Sequence, residues 1–223
     1  ATPLVVLAAL GAGFAGALSN LSDAGYAGFL LPGMVAMAAL FAGAFASMSL
    51  IDDRDSGLML AVLAGPAPAW SVGLGKALGV GSLTAVQASI VLGAGLVVGL
   101  EPGVTGWLGA IAGTVLLSIG AVGLSLALAW RCQDTASFHA AMNLVLLPAW
   151  MLAGAFYPAE QAAPLMRGLT LANPLAWPVG AIRGALTGET GLPGGTAWVW
   201  VGAGAFGLVG LVAASLAVRS SKG

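Results

Sequence analysis

Three constellations in this sequence combine residue types that can do chemistry. The first is Gly73-Leu74-Gly75-Lys76, which ends like a phosphate-binding loop. That loop needs Gly-x-x-x-x-Gly-Lys-Ser/Thr, so that backbone N–H groups cradle the phosphates and a hydroxyl reaches magnesium. Trp70 and Ala77 stand where the first glycine and the hydroxyl residue belong, so this chain is not expected to bind nucleotide. The second is Ser125, within Gly123-Leu124-Ser125-Leu126-Ala127, together with His139. An intramembrane serine hydrolase needs that pair within hydrogen-bond reach, plus oxyanion donors. A serine inside a membrane helix ordinarily satisfies a carbonyl of its own or a neighbouring helix instead, and that is the expectation for Ser125. The third is the break from Asp52 to Lys76, which opens Asp52-Asp53-Arg54-Asp55-Ser56-Gly57-Leu58. It holds five of the chain's fifteen charged residues between two long apolar segments. Its chemistry is ion pairing and docking, not catalysis. Cys132 and His139 are each the only residue of their kind. That rules out an intrachain disulfide and a cysteine- or histidine-based metal cluster. No catalytic residue, metal or bound cofactor is assigned.

The elements that carry these residues are apolar. The chain has 223 residues, 59% hydrophobic and 7% charged, with a mean hydropathy of +1.01. A soluble domain carries about 25% charged residues, so the expected class is an all-α integral membrane protein. A net charge of −1 argues against nucleic acid as a partner. Six apolar stretches approach the roughly 20 residues of a crossing: 3–19, 29–51, 77–100, 104–130, 135–157 and 197–218. The first is short and lacks the methionine and basic flank of a signal peptide, so further native residues are expected before it. Gly95/Gly99 and Gly109/Gly113 have the spacing of close helix contacts.

Lys and Arg set the direction. Arg54, Lys76, Arg131, Arg219 and Lys222 fall on one side, and Arg167 and Arg183 on the other. Both termini and the Asp52–Lys76 break are therefore expected in the cytoplasm, and a bacterial or archaeal inner membrane fits. In the break, Asp52, Asp53 and Asp55 are expected to start a helix, where acids complement the dipole and can cap. Leu58, Met59, Val62 and Leu63 then form one apolar stripe, and Pro66 and Pro68 stop the helix. On the outer side, residues 158–196 contain two short apolar stretches split by Asn173-Pro174. These suit a re-entrant helical hairpin or, alternatively, two surface helices. Arg183, Arg167, Glu160 and Glu189 lie in this segment, and one opposite-charge pair is a candidate pin. Gln87 and Asn143 are the mid-span amides; polar groups there are expected to face the bundle interior, as an interhelix bond or a substrate path. Trp150 and Phe156 are placed near the outer end of that path. The spans hold no Asp, Glu, Lys or Arg, which disfavours an ion-coupled pump.

Two motifs carry a family resemblance. Asp53-Arg54-Asp55-Ser56-Gly57, then Pro66, Trp70 and Gly75-Lys76, resemble the coupling segment of ABC transporter permeases of the type-2 export class. That family typically reads Glu-Arg-Glu-x-Gly, a leucine-rich turn or two, Pro and then Gly-Lys; Asp replaces Glu at 53 and 55. Phe156-Tyr157-Pro158, Asn173-Pro174-Leu175-Ala176-Trp177 and Ile182-Arg183-Gly184 resemble its outer segment before the last span. The resemblance implies six transmembrane helices in one domain over 1–223, with a short cytoplasmic coupling helix (52–70) and an outer re-entrant helical hairpin. It implies a permease subunit of an ATP-driven exporter, paired with a second permease subunit and docked to two copies of a cytoplasmic ABC ATPase that hold ATP and Mg. The implied coupling residues are Asp53, Arg54, Asp55, Gly57, Leu58, Leu63 and Pro66, and the implied outer gate is Tyr157, Pro158, Asn173, Pro174 and Arg183. The family's amphipathic helix before the first span does not occur in this sequence. Apolar, sparsely polar spans suit an amphipathic, lipid-like or drug-like cargo, with glycan or haem-related cargo as the alternative. An ATP-independent channel or carrier, or a non-transporting six-span scaffold, are the competing functions.

Overall fold

The structure, a computed structural model, describes residues 2–14, 25–66 and 68–219. The regular structure among those residues is all helical, with no strand. In chain order the helices are α1 (Thr2–Phe14), α2 (Gly25–Ser47), α3 (Ser49–Asp55), α4 (Leu58–Leu63), α5 (Ala69–Leu92), α6 (Ala94–Val98), α7 (Gly103–Arg131) and α8 (Thr135–Met151). A 3-10 turn (Ala159–Gln161) leads into α9 (Pro164–Ala172), α10 (Ala176–Thr187) and α11 (Gly195–Arg219). Among the described residues, four helical stretches are long and apolar enough to cross a membrane: Gly25–Asp55, Trp70–Val98, Gly103–Arg131 and Gly195–Val218. With 13 and 17 residues, α1 and α8 fall short of that length.

The bundle is organised around α7, which packs on α2, α5, α10 and α11. Lipid supplies no hydrophobic drive between helices, so close backbone approach and dispersion must hold them. Glycine provides that approach. Gly123 faces the backbone of Gly210 on α11, and a Cβ there would run into the Gly210 carbonyl. Gly120 is filled by the Phe206 ring, and Gly81 on α5 lies against Ile119. Three of the four glycines with GxxxG spacing are consumed in the same way within the chain. Gly109 and Gly113 receive Ala185 and Ile182 of α10, and Gly95 lies beneath Leu31 and Trp107. Gly99 takes φ 85° to end α6, a conformation in which glycine carries no Cβ penalty.

Several boundaries differ from those expected. The second span begins at Gly25, and after a turn at Met48 it runs on to Asp55 because nothing breaks it before Gly57. The third starts at Ala69, directly after Pro68, and therefore includes Lys76. The fifth ends at Met151, with Pro148 in its last turn, short of Tyr157. Of the expected first span, the part beyond Phe14 lies outside the described residues.

Candidate functional site

The charged break forms two short helices joined at Gly57, whose φ of 78° turns the chain. The three aspartates do not start the helix that follows. Asp52, Asp53 and Asp55 belong to α3, and α4 has Gly57 as its N-cap with no side-chain cap. Carboxylates at the end of a helix oppose its dipole, so they need cations, and the structure supplies them. Asp53 pairs with the Lys76 ammonium of α5, and Asp55 lies 3.9 Å from the Arg54 guanidinium. Arg54 itself reaches the end of α7. It donates to the carbonyls of Cys132 at 2.7 Å, Gln133 at 2.9 Å and Trp130 at 3.4 Å. Carbonyls at a helix C-terminus lack intrahelical donors, and a planar five-donor guanidinium suits several of them at once. The break is thus fastened to α5 and to α7.

The expected single stripe on α4 also divides. Met59 is buried against the bundle, while Leu58, Leu60 and Val62 are exposed, Leu60 by 73%. A six-residue helix bound at one edge leaves the rest of its apolar surface outward. Of Leu63 the structure describes only the backbone. Pro66 is exposed in the turn between α4 and α5.

The opposite end of the bundle gathers most of the outer residues singled out by sequence. Asn173 caps α9 and joins two elements: its amide donates to the Ala149 carbonyl of α8, and its oxygen accepts from Leu175 N–H. Pro174 is exposed beside it. The Tyr157 hydroxyl lies 3.1 Å from that of Thr170, and Pro158 caps the 3-10 turn. Arg183 is buried in α10. It donates to the Gly154 carbonyl at 2.7 Å and stacks 4.3 Å above the Phe29 ring. No carboxylate faces it among the described residues, so in place of the candidate ion pair, or of solvated surface charge, Arg183 has a carbonyl and an aromatic face. Trp150 donates to the Gly33 carbonyl at 2.8 Å and meets Phe156 edge-on at 5.0 Å. The Tyr26 hydroxyl reaches the Phe156 carbonyl. Helices α2, α8, α9 and α10 are tied together here. A cavity of about 370 Å³ opens beside Phe156, Tyr157, Gln161 and Met166.

The two halves of this segment pack differently. Buried among α2, α7 and α11, α10 contrasts with α9, which leaves Leu165 and Leu169 exposed.

Gln87 and Asn143 do not face the interior. Both are exposed, on different helices, and neither side chain forms a hydrogen bond among the described residues. The buried stripe of α5 around Gln87 is Gly81, Thr84, Ala85 and Ala88, small residues that let helices close and leave no room for an amide. Asn143 lies one residue past buried Met142, rotated by about 100° from it. Gln87 borders a cavity of about 590 Å³ lined by Leu4, Met37, Phe41 and Ile90. Ser125 is buried in α7 without a hydrogen-bond partner among the described residues, neither bonded to its own helix as expected nor paired with His139. His139 meets the Phe45 ring. The lookalike phosphate loop is helical: Gly73 lies against Ala214 of α11, and Lys76 serves Asp53.

The model of a known family, the ABC-2 type transporter, matches residues 1–187, a stretch that includes both fastened ends. The chain belongs to that family. ABC-2 members are membrane transport components that normally work with an ABC ATPase. The chain is accordingly a multi-pass membrane protein. Nodulation protein J of Neorhizobium galegae is 27% identical over 202 residues, covering 85% of this chain and 72% of that protein.

Within this ABC-2 domain, sequence reading missed the partners of the outer cluster. Gly33, Gly154, Tyr26 and Phe29 act through a carbonyl, a carbonyl, a hydroxyl and a ring face. Backbone acceptors leave no residue-type signal. The α7–α11 crossing was more accessible, because Gly120/Gly123 and Gly207/Gly210 share a spacing of three.

Proposed function

We propose that this chain is the permease subunit of an ATP-driven exporter, powered by a separate cytoplasmic ABC ATPase that docks on α4. The observation that carries this reading is the outward apolar face of Leu58, Leu60 and Val62, set on a break fastened to α5 and α7. A surface of that kind suits a protein partner, and the family normally works with an ABC ATPase. The distribution of Lys and Arg supports a cytoplasmic break and cytoplasmic termini in an inner membrane. Under this reading α1 and α8 complete six crossings, and α9 and α10 form a hairpin entering from the outer face. The burial of α10 against α2, α7 and α11 favours that arrangement over two surface helices. Two permease subunits, of the same chain, pair with two ATPases.

The cargo is amphipathic and lipid-like or drug-like. Isolated amides on apolar outer surfaces, such as Gln87 beside its cavity, suit a substrate that carries one polar group among hydrocarbon.

Co-expression with the ATPase tests the reading. The ATPase co-purifies with the unmodified chain, and Leu60→Glu, at an exposed position, removes co-purification while the protein still folds. Deletion of residues 53–63 abolishes substrate-stimulated ATP hydrolysis. Flux through the chain without any ATPase marks a channel or carrier, and a folded chain with neither ATPase nor flux marks a scaffold.

A further inference from the structure

We propose that Arg54 is the positioning residue through which the break grips α7, and that α7 carries displacement of the break to α10 at the opposite end. This rests on the reading that an ATPase docks on α4. Arg54 holds three carbonyls at the α7 terminus, those of Trp130, Cys132 and Gln133. Its positive charge also matches the negative end of the helix dipole. Arg54 therefore faces the permease's own backbone, and the partner-facing surface is left to Leu58, Leu60 and Val62.

Helix α7 suits the role of a rod. It is unbroken for 29 residues, roughly 43 Å at about 1.5 Å per residue. It is the longest single helix among the described residues: α11 has 25 residues, α2 gives way to α3 at Met48, and α5 to α6 at Gly93. At Gly123 and Gly210 its backbone packs directly against that of α11. Packed interfaces of this kind transmit shifts because they are not continuously deformable.

The outer end of the rod is notched for α10. A Cβ at Gly106 would stand 2.6 Å from the Ala185 carbonyl oxygen, and one at Gly113 would stand 2.9 Å from Ile182 Cγ1. From α10, Arg183 reaches the Gly154 carbonyl at 2.7 Å, three residues before Tyr157 and the outer cavity with Gln161. The route is a continuous chain of contacts: Arg54, α7, α10, Arg183, Gly154, outer cavity.

The test uses the complex with the ABC ATPase, in a Cys132→Ser background carrying Gln161→Cys. A membrane-impermeant maleimide applied outside measures the alkylation rate with and without ATP–vanadate trapping. With Arg54 present, trapping changes the rate by about fivefold or more, the size of an ordinary allosteric coupling. With Arg54→Ala the rate is the same in both states, although the ATPase still co-purifies. Arg54→Lys, which keeps the charge but cannot span three carbonyls, shows the same loss; it carries the test if Arg54→Ala does not assemble. A change that persists in both variants overturns the proposal alone. Failure of the ATPase to co-purify with the Arg54-containing parent overturns the docking reading, and this proposal falls with it.

Discussion

The Trp150 indole donates to the Gly33 carbonyl at 2.8 Å, joining α8 to α2 across 117 positions of sequence. The close approach depends on glycine. A Cβ at Gly33 would stand 2.6 Å from the Cβ of Ala155, in the turn that follows α8. Gly33→Ala is expected to destabilise the protein by about 1–3 kcal/mol, the usual cost of overpacking a filled site. Trp150→Phe keeps the ring and loses one hydrogen bond, at about 1 kcal/mol. Thermal unfolding in detergent, with the two variants side by side, checks the order.

The α7–α11 crossing gives a sharper contrast between glycines. Gly123→Ala places a methyl into the Gly210 carbonyl and is expected to prevent assembly of the bundle. Gly204→Ala, on α11 with nothing within 4 Å, is expected to be neutral or to stabilise by up to about 1 kcal/mol through helix propensity. Yield of monodisperse protein after solubilisation reads both, and equal behaviour would contradict the packing.

Arg183 separates charge from shape. Arg183→Lys keeps a cation in an apolar site but loses the planar stack on Phe29 and the geometry of the bond to Gly154. It is expected to cost about 2 kcal/mol, from a charged hydrogen bond and a cation–π contact. Arg183→Met removes the desolvation cost along with the contacts, and is expected to be the milder change. Melting temperatures of the two variants decide. A milder Lys variant would mean that charge, not the fork, holds α10.

Asp134 supplies the pH dependence. It caps α8, accepting from the Ser137 N–H at 2.6 Å while the Ser137 hydroxyl completes a capping box. The Ser137 backbone bond, and then its side-chain bond, hold the Asp134 carboxyl below the ordinary value of 3.8. A depressed carboxyl stabilises the fold fully above that ordinary value, and the contribution is lost as pH falls through the lower folded value. Asp134→Asn keeps a competent cap without titrating. Melting curves of the two proteins are expected to run parallel above about pH 5 and to diverge below the ordinary aspartate range, with the wild type falling faster.

Asp53 and Lys76 are partly buried, with side-chain exposures of 32% and 19%. A double-mutant cycle with Asp53→Asn and Lys76→Met is expected to give a coupling of about 1 kcal/mol, the upper range for exposed pairs. Unfolding free energies of the four proteins provide the measurement. A coupling near zero would leave Arg54 as the principal tie.

The membrane class, the helical character and the family were all legible in the sequence. A composition with 7% charged residues falls far short of the charge that covers a soluble domain, and Pro66, Pro68 and Asn173-Pro174 punctuate the chain wherever they stand, because their backbone limits are local. The residues near α3–α4 and α9–α10 were identifiable by order and spacing. What those residues touch was decided by the tertiary structure. Arg54 meets carbonyls 76–79 positions away, Arg183 meets a carbonyl and a ring, and Gln87 and Asn143 face outward because small residues took the inward stripe of α5 and Phe138, Met142 and Trp150 that of α8. Hydrogen bonds to backbone acceptors are available from every residue type, so sequence marks the donor and leaves its partner to packing.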